Sequence, residues 1–63
     1  MFKLNNTEIT KDKAIEYIDD LAMFPQNEED MHLNVANRKE KYLDMLEKRV
    51  PISITNTLIL VKE

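Results

Sequence analysis

Apolar and polar positions follow three different rhythms along this chain. At the N-terminus Phe2-Lys3-Leu4 and Thr7-Glu8-Ile9 flank Asn5-Asn6, and Asn is the residue after Gly that best tolerates the positive φ of a two-residue type I′ turn. The pattern predicts a short β-hairpin or, since three-residue arms are marginal alone, a single irregular strand. From Thr10 the rhythm changes. Ala14, Ile15, Ile18, Leu21 and Ala22 recur at helical spacing and occupy one arc of about 120°. Thr10 is placed to cap this helix, and Asp12, Lys13, Glu16, Asp19 and Asp20 fall on its other side. It ends near Phe24, because the residue before Pro25 is pushed out of helical geometry.

A second helix starts at Asn27, where an N-cap residue precedes Glu28-Glu29-Asp30 and the helix dipole favours acids in the first turn. Met31, Val35, Tyr42, Leu46 and Val50 form its stripe, with Leu43 and Met45 at the margins, and Pro51 terminates it. A continuous run over 28–49 would be about 33 Å long at 1.5 Å per residue. The alternative is a break near Asn37, where Asn37-Arg38-Lys39-Glu40 has the spacing of a capping box and the stripe lapses. The tail from Ile52 to Val61 is rich in β-branched residues and reads as a strand. Ile52, Ile54, Leu58 and Leu60 share one face, while the other is polar at first and then apolar at Ile59 and Val61. The fold class that follows is α+β: an N-terminal hairpin or strand, two antiparallel helices and a C-terminal strand (ββααβ), forming a small sheet covered by helices. No repeat or linker divides the chain, so residues 1–63 read as a single domain.

Composition narrows the chemistry. The 63 residues include no Gly, no Cys and one His, which removes phosphate-cradling loops, nucleophile elbows, thiolate sites and multi-His metal centres. Glu28 and His32 stand four apart on one helix side, but two ligands are too few for a closed metal site. Asp19-Asp20 diverge by about 100° on a helix, so they do not form a catalytic carboxylate pair. The expectation is a non-enzymatic protein that takes no metal and no cofactor.

A lone core in so short a chain rarely supplies more than about 3–5 kcal/mol, and with disulfides excluded the common reinforcement is a two-fold dimer. The tail, apolar on both faces at its end, is the expected dimer interface through Ile52, Ile54, Leu58, Ile59, Leu60 and Val61. A related expectation is that this strand adds to the sheet edge of another protein.

Charge supplies the last constraint. The net charge is −3, which disfavours a general affinity for nucleic-acid phosphates. Between Ala14 and Asn37 stand six acids and no Lys or Arg, whereas Arg38 through Arg49 hold five bases and three acids. Glu16 is a like-charge neighbour of Asp12 and Asp20 at i,i+4, which is mildly destabilising. Met23 projects between Asp19 and Asp20, and Leu33 lies opposite the second helix's stripe. An apolar knob ringed by acids fits a larger protein with a basic surface, so Glu16, Asp19, Asp20, Met23, Glu28, Glu29, Asp30 and Leu33 are the expected partner-binding residues.

The alternation of Phe2 and Leu4 with Lys3 and Asn5, followed by two helices, resembles ribbon-helix-helix DNA-binding regulators over residues 2 to 49. That resemblance implies a dimer whose paired N-terminal strands enter the major groove. The Gly-containing inter-helix turn is absent, the charge balance is wrong and the C-terminal strand is extra. The leading expectation is therefore a homodimeric inhibitor or modulator that occludes a larger protein, with nucleic acid disfavoured and no membrane among its partners; the alternative is a dimeric DNA-binding transcriptional regulator of ribbon-helix-helix-like layout. No stretch approaches the length of a membrane span and the N-terminus lacks a signal peptide's apolar core, so the expected location is cytoplasmic. Lys, Asn and Ile make up 19 of the 63 residues; their A/T-heavy codons point to a low-GC bacterium or its phages, with host defence or nucleic-acid-handling proteins as targets.

Overall fold

The computed structural model describes residues 1–25 and 27–63. Asn5 and Asn6 take φ values of 50° and 72°, the left-handed pair that a tight hairpin turn requires. They connect β1 (Phe2–Leu4) to β2 (Thr7–Ile9), with Leu4 opposite Thr7 and Phe2 opposite Ile9. Thr10 then caps α1 (Lys11–Met23), its hydroxyl accepting from the Lys13 amide at 3.2 Å. The buried residues of α1 are Ala14, Ile18, Leu21 and Ala22, four of the five in the stripe that the spacing predicts; the fifth, Ile15, is half-buried at its edge.

The second helical segment is not one rod. Asn27 caps a single turn, α2 (Glu28–Met31), and Asn34 caps a new helix, α3 (Val35–Glu47), by accepting from the Asn37 amide at 2.8 Å. The break thus falls at residues 32–34 rather than near Asn37. It removes Met31 and Val35 from the core-facing stripe: they are 59% and 48% exposed, and Val50 is 41% exposed. Arg38, Tyr42 and Leu46 form the buried side of α3 instead.

The end of α3 shows what the missing glycine costs. The Arg49 amide donates to the Leu46 carbonyl and the Val50 amide to that of Met45, the two bonds of a Schellman motif. Its left-handed position is filled by Arg49 at φ 60°, a conformation that costs a non-Gly residue about 1–2 kcal/mol.

The tail folds back on itself to make two strands, β3 (Ile52–Ser53) and β4 (Ile59–Lys62), paired antiparallel with Ile52 opposite Leu60. The turn between them is closed by the Thr55 hydroxyl, which accepts from the Thr57 and Leu58 amides at 3.2 and 3.1 Å. Ser and Thr side chains compete with strand ladders in this way, and here they divide a run that looked like one strand. Asn5 also anchors β4, donating through Nδ2 to the Thr57 carbonyl and accepting from the Ile59 amide at 2.8 Å.

The result is a small α+β fold: a four-stranded antiparallel sheet in the order β2-β1-β4-β3 and, among the described residues, three helices. One face of the sheet, with Leu4, Ile52 and Leu60, packs on Ala14, Ile18 and Leu21 of α1 and on Tyr42 and Leu46 of α3. The central position of β1 departs from the ribbon-helix-helix layout, since both its edges are occupied within the chain. β4 is interior too, so its edges are not open to another protein's sheet.

Candidate protein-docking surface

Three chain segments converge on one side chain. Arg38, 8% exposed, donates from Nε to the Ala22 carbonyl at 2.5 Å and from a terminal nitrogen to the Asp30 and Leu33 carbonyls at 3.1 and 2.5 Å. Helix C-termini present carbonyls without intrahelical partners, carrying partial negative charge, and one guanidinium satisfies carbonyls at the ends of both α1 and α2. Beside it the Asp30 carboxylate, 0% exposed, accepts from the Tyr42 hydroxyl and from Lys41 Nζ, the latter at 2.6 Å. Burial pushes the Asp30 carboxyl upward, but the bonds from Lys41 and Tyr42 and the Lys41 charge outweigh it and hold it below its ordinary value. These contacts fix the end of the helix layer from which the apolar residues project.

Asp30 is consequently not a partner-binding residue, because its carboxylate is enclosed and already bonded. The other expected residues distribute unevenly. Glu16, Asp20, Glu28 and Glu29 are exposed, Asp19 is half-buried and pairs with Lys39 at 2.9 Å, and Glu16 pairs with Lys13 at 3.3 Å. Met23 is 61% exposed, as its position among the acids predicts. Leu33 is half-buried and turns to the outer side of α3, away from that surface. Phe24, 71% exposed, is the residue missed: it served only as a helix boundary before Pro25, although a large aromatic outside the helical periodicity was the available signal. Of the expected dimer residues, Ile52, Ile54 and Leu60 are buried in the chain's own core and Leu58 packs against it. Those four are therefore not a free interface. Ile59 and Val61 point to the sheet face that the helices leave uncovered.

Two notches lie side by side along α1. One, of 270 Å³, is walled by Tyr17, Leu21, Phe24, Ile54 and Leu58, with Asp20 and Thr55 completing it. The other, of 320 Å³, is lined by Lys13, Glu16, Tyr17, Asp19 and Asp20. They share Tyr17 and Asp20, so an apolar recess adjoins one that carries three carboxylates and Lys13. Among the described residues Asp20, Glu28 and Glu29 make no ion pair within 4.0 Å. The arrangement can take an apolar side chain and a neighbouring Lys or Arg from one partner segment.

His32 is exposed, and among the described residues no group of three or more His, Asp or Glu side chains stands close enough to hold a metal ion. No helix among them is long and apolar enough to cross a membrane. Family models, curated proteins and solved structures yield no significant match to this chain.

Proposed function

We propose that this chain is a small non-enzymatic binding module that docks on the basic surface of a larger protein and occludes it, acting as an inhibitor or modulator. The observation that carries this reading is the pair of notches sharing Tyr17 and Asp20, flanked by Phe24 and Met23, which remain 71% and 61% exposed. Exposed aromatic and Met side chains beside desolvatable recesses are where binding energy concentrates, and the surrounding acids speed encounter with a basic partner and reject acidic ones.

The test starts from a photoreactive residue replacing Met23, used to crosslink a partner from a low-GC bacterial lysate. With that partner purified, Phe24→Ser should raise Kd about tenfold or more, and Asp20→Lys should raise it while flattening the decline of affinity with salt. A partner whose affinity neither substitution moves would overturn the proposal. So would tight, steeply salt-dependent binding of the chain to duplex DNA, which belongs to the ribbon-helix-helix alternative.

A further inference from the structure

Between Asn27 and Asn34 the one buried residue is Asp30; Leu33 is half-buried and the other six are exposed. Met31, the one apolar residue of α2, is 59% exposed and takes no part in the apolar core. α1 and α3 pack along each other, whereas α2 touches every other element only sparsely. This segment therefore lacks the apolar burial that fixes the rest of the helix layer.

What seats it is a set of polar bonds to α3. The Asp30 carboxylate accepts from Lys41 and Tyr42, and the Asp30 and Leu33 carbonyls accept from the Arg38 guanidinium. The segment is also bonded within itself: the Asp30 amide donates to the Asn27 side chain at 2.8 Å, the Met31 amide to the Asn27 carbonyl at 3.2 Å and the Leu33 amide to the Asp30 carbonyl at 3.1 Å. α1 is held separately, by the Arg38 Nε bond to the Ala22 carbonyl and by the packing of Ile18 and Leu21 in the core that Tyr42 and Leu46 share. Segments with few buried apolar contacts open at free energies below that of global unfolding.

We propose that residues 27–34 form a strap that lifts off α3 as a unit while the sheet, α1 and α3 stay folded, and that the negative charge of Asp30 holds it down. Charge-assisted bonds to an enclosed carboxylate are the strongest of its ties. In the lifted state Asp30 is hydrated and titrates at its ordinary 3.8, whereas in the seated state Lys41 and Tyr42 hold it lower, so lifting is favoured as pH falls through those values. From α3 the cluster is faced by Lys41, Tyr42 and Arg38, and α1 reaches it through the Ala22 carbonyl. Glu29, whose charge also acts on Lys41, titrates in the same range, and Asp30→Asn separates the two. Glu28 and Glu29 ride on the strap, so lifting moves two of the acids expected to face a partner. That consequence rests on the proposed docking function; the lifting itself does not.

Native-state hydrogen exchange of the full chain, followed amide by amide by NMR in low urea, tests this without any partner, so its failure leaves the docking function untouched. The Asp30, Met31 and Leu33 amides should exchange together, about tenfold or more less protected than the mid-helix amides of α1 and α3, and nearly independent of urea because little surface is exposed. Ile18→Val should lower mid-helix protection severalfold by weakening the core and leave the strap amides unchanged, since it costs the seated and lifted states alike. Asp30→Asn should lower strap protection about tenfold or more. In wild type that protection, corrected for intrinsic exchange, should fall below pH 4 toward the Asp30→Asn value. Strap amides that exchange only together with the helices, or that Ile18→Val deprotects equally, would overturn the lifting. Strap protection indifferent to Asp30→Asn would overturn the role of the charge.

Discussion

Asp30 is a residue whose sequence context and structural role point in opposite directions. It follows Glu28 and Glu29 in a helical first turn, where acids are normally solvated, yet it is enclosed and accepts from Lys41 and Tyr42. The bond to Asp30 raises the Lys41 ammonium against the effect of its own burial, while burial first and Asp30 second raise the Tyr42 phenol. The carboxyl, held below its ordinary 3.8, contributes stability that is present above that value and lost as pH falls through the lower folded-state value. Lys41 and Tyr42, raised from 10.5 and 10.0, contribute stability that is complete below those values and lost as pH rises further. The urea midpoint should therefore hold steady from about pH 5 to 9 and fall on both sides. Asp30→Asn should lower it at pH 7 by an amount equivalent to about 1–3 kcal/mol, and the difference from wild type should shrink below pH 4. Equal loss at pH 3 and pH 7 would remove the charge from the explanation.

At the scale of elements, asparagine does much of the punctuation that glycine performs elsewhere. The hairpin turn at Asn5-Asn6 and the cap at Asn27 were legible because each coincides with a change of apolar rhythm. Asn34 was not, because Met31 and Val35 stand four apart and continue the helical pattern across the break. Asn37 offered a capping-box spacing to Glu40 but lies inside α3, donating its amide to Asn34. Two substitutions separate the positions: Asn34→Ala should cost about 1 kcal/mol by removing a cap, whereas Asn37→Ala should be neutral or slightly stabilising, since Ala is the better helix former. Chemical unfolding of the two variants decides it, and equal effects would mean that the cap at 34 contributes nothing. The division of the tail into β3 and β4 was hidden for a related reason. Its apolar alternation lapses only at Asn56, between Ile54 and Leu58, and the Thr55 hydroxyl, together with the Ile54 and Thr55 amides that donate to the Leu58 carbonyl, turns the chain there.

For the molecule as a whole, the distinction that matters is which apolar residues the chain itself consumes. Leu60 is 0% exposed and Ile59 is 39% exposed, although both were expected at one interface. Leu60→Lys should prevent folding of the isolated chain at any concentration, because a charge would be buried without a partner, while Ile59→Lys should leave the circular dichroism spectrum and unfolding midpoint near those of wild type. A folded Leu60→Lys monomer would contradict the placement of β4 in the sheet. The candidate docking surface was half legible. Met23 and the acids of α1 could be placed from helical angles alone, since a helix fixes the directions of its own side chains. The notch beside them joins α1 to the β3–β4 turn, more than thirty residues away, and no local pattern contains it.

The sequence by itself determined the α+β class, the first helix with most of its buried stripe and the acidic character of one surface, and it offered the Asn5-Asn6 hairpin as one of two readings of the N-terminus. Each follows from short-range periodicity, turn chemistry or counting charges. The tertiary structure alone decided that β1 and β4 lie inside the sheet, that Asp30 and Arg38 are buried hubs, and that Phe24 stands exposed while Leu60 does not. Those outcomes depend on which distant segments meet, and periodicity can say that a residue seeks cover without saying whether its own chain or another will provide it.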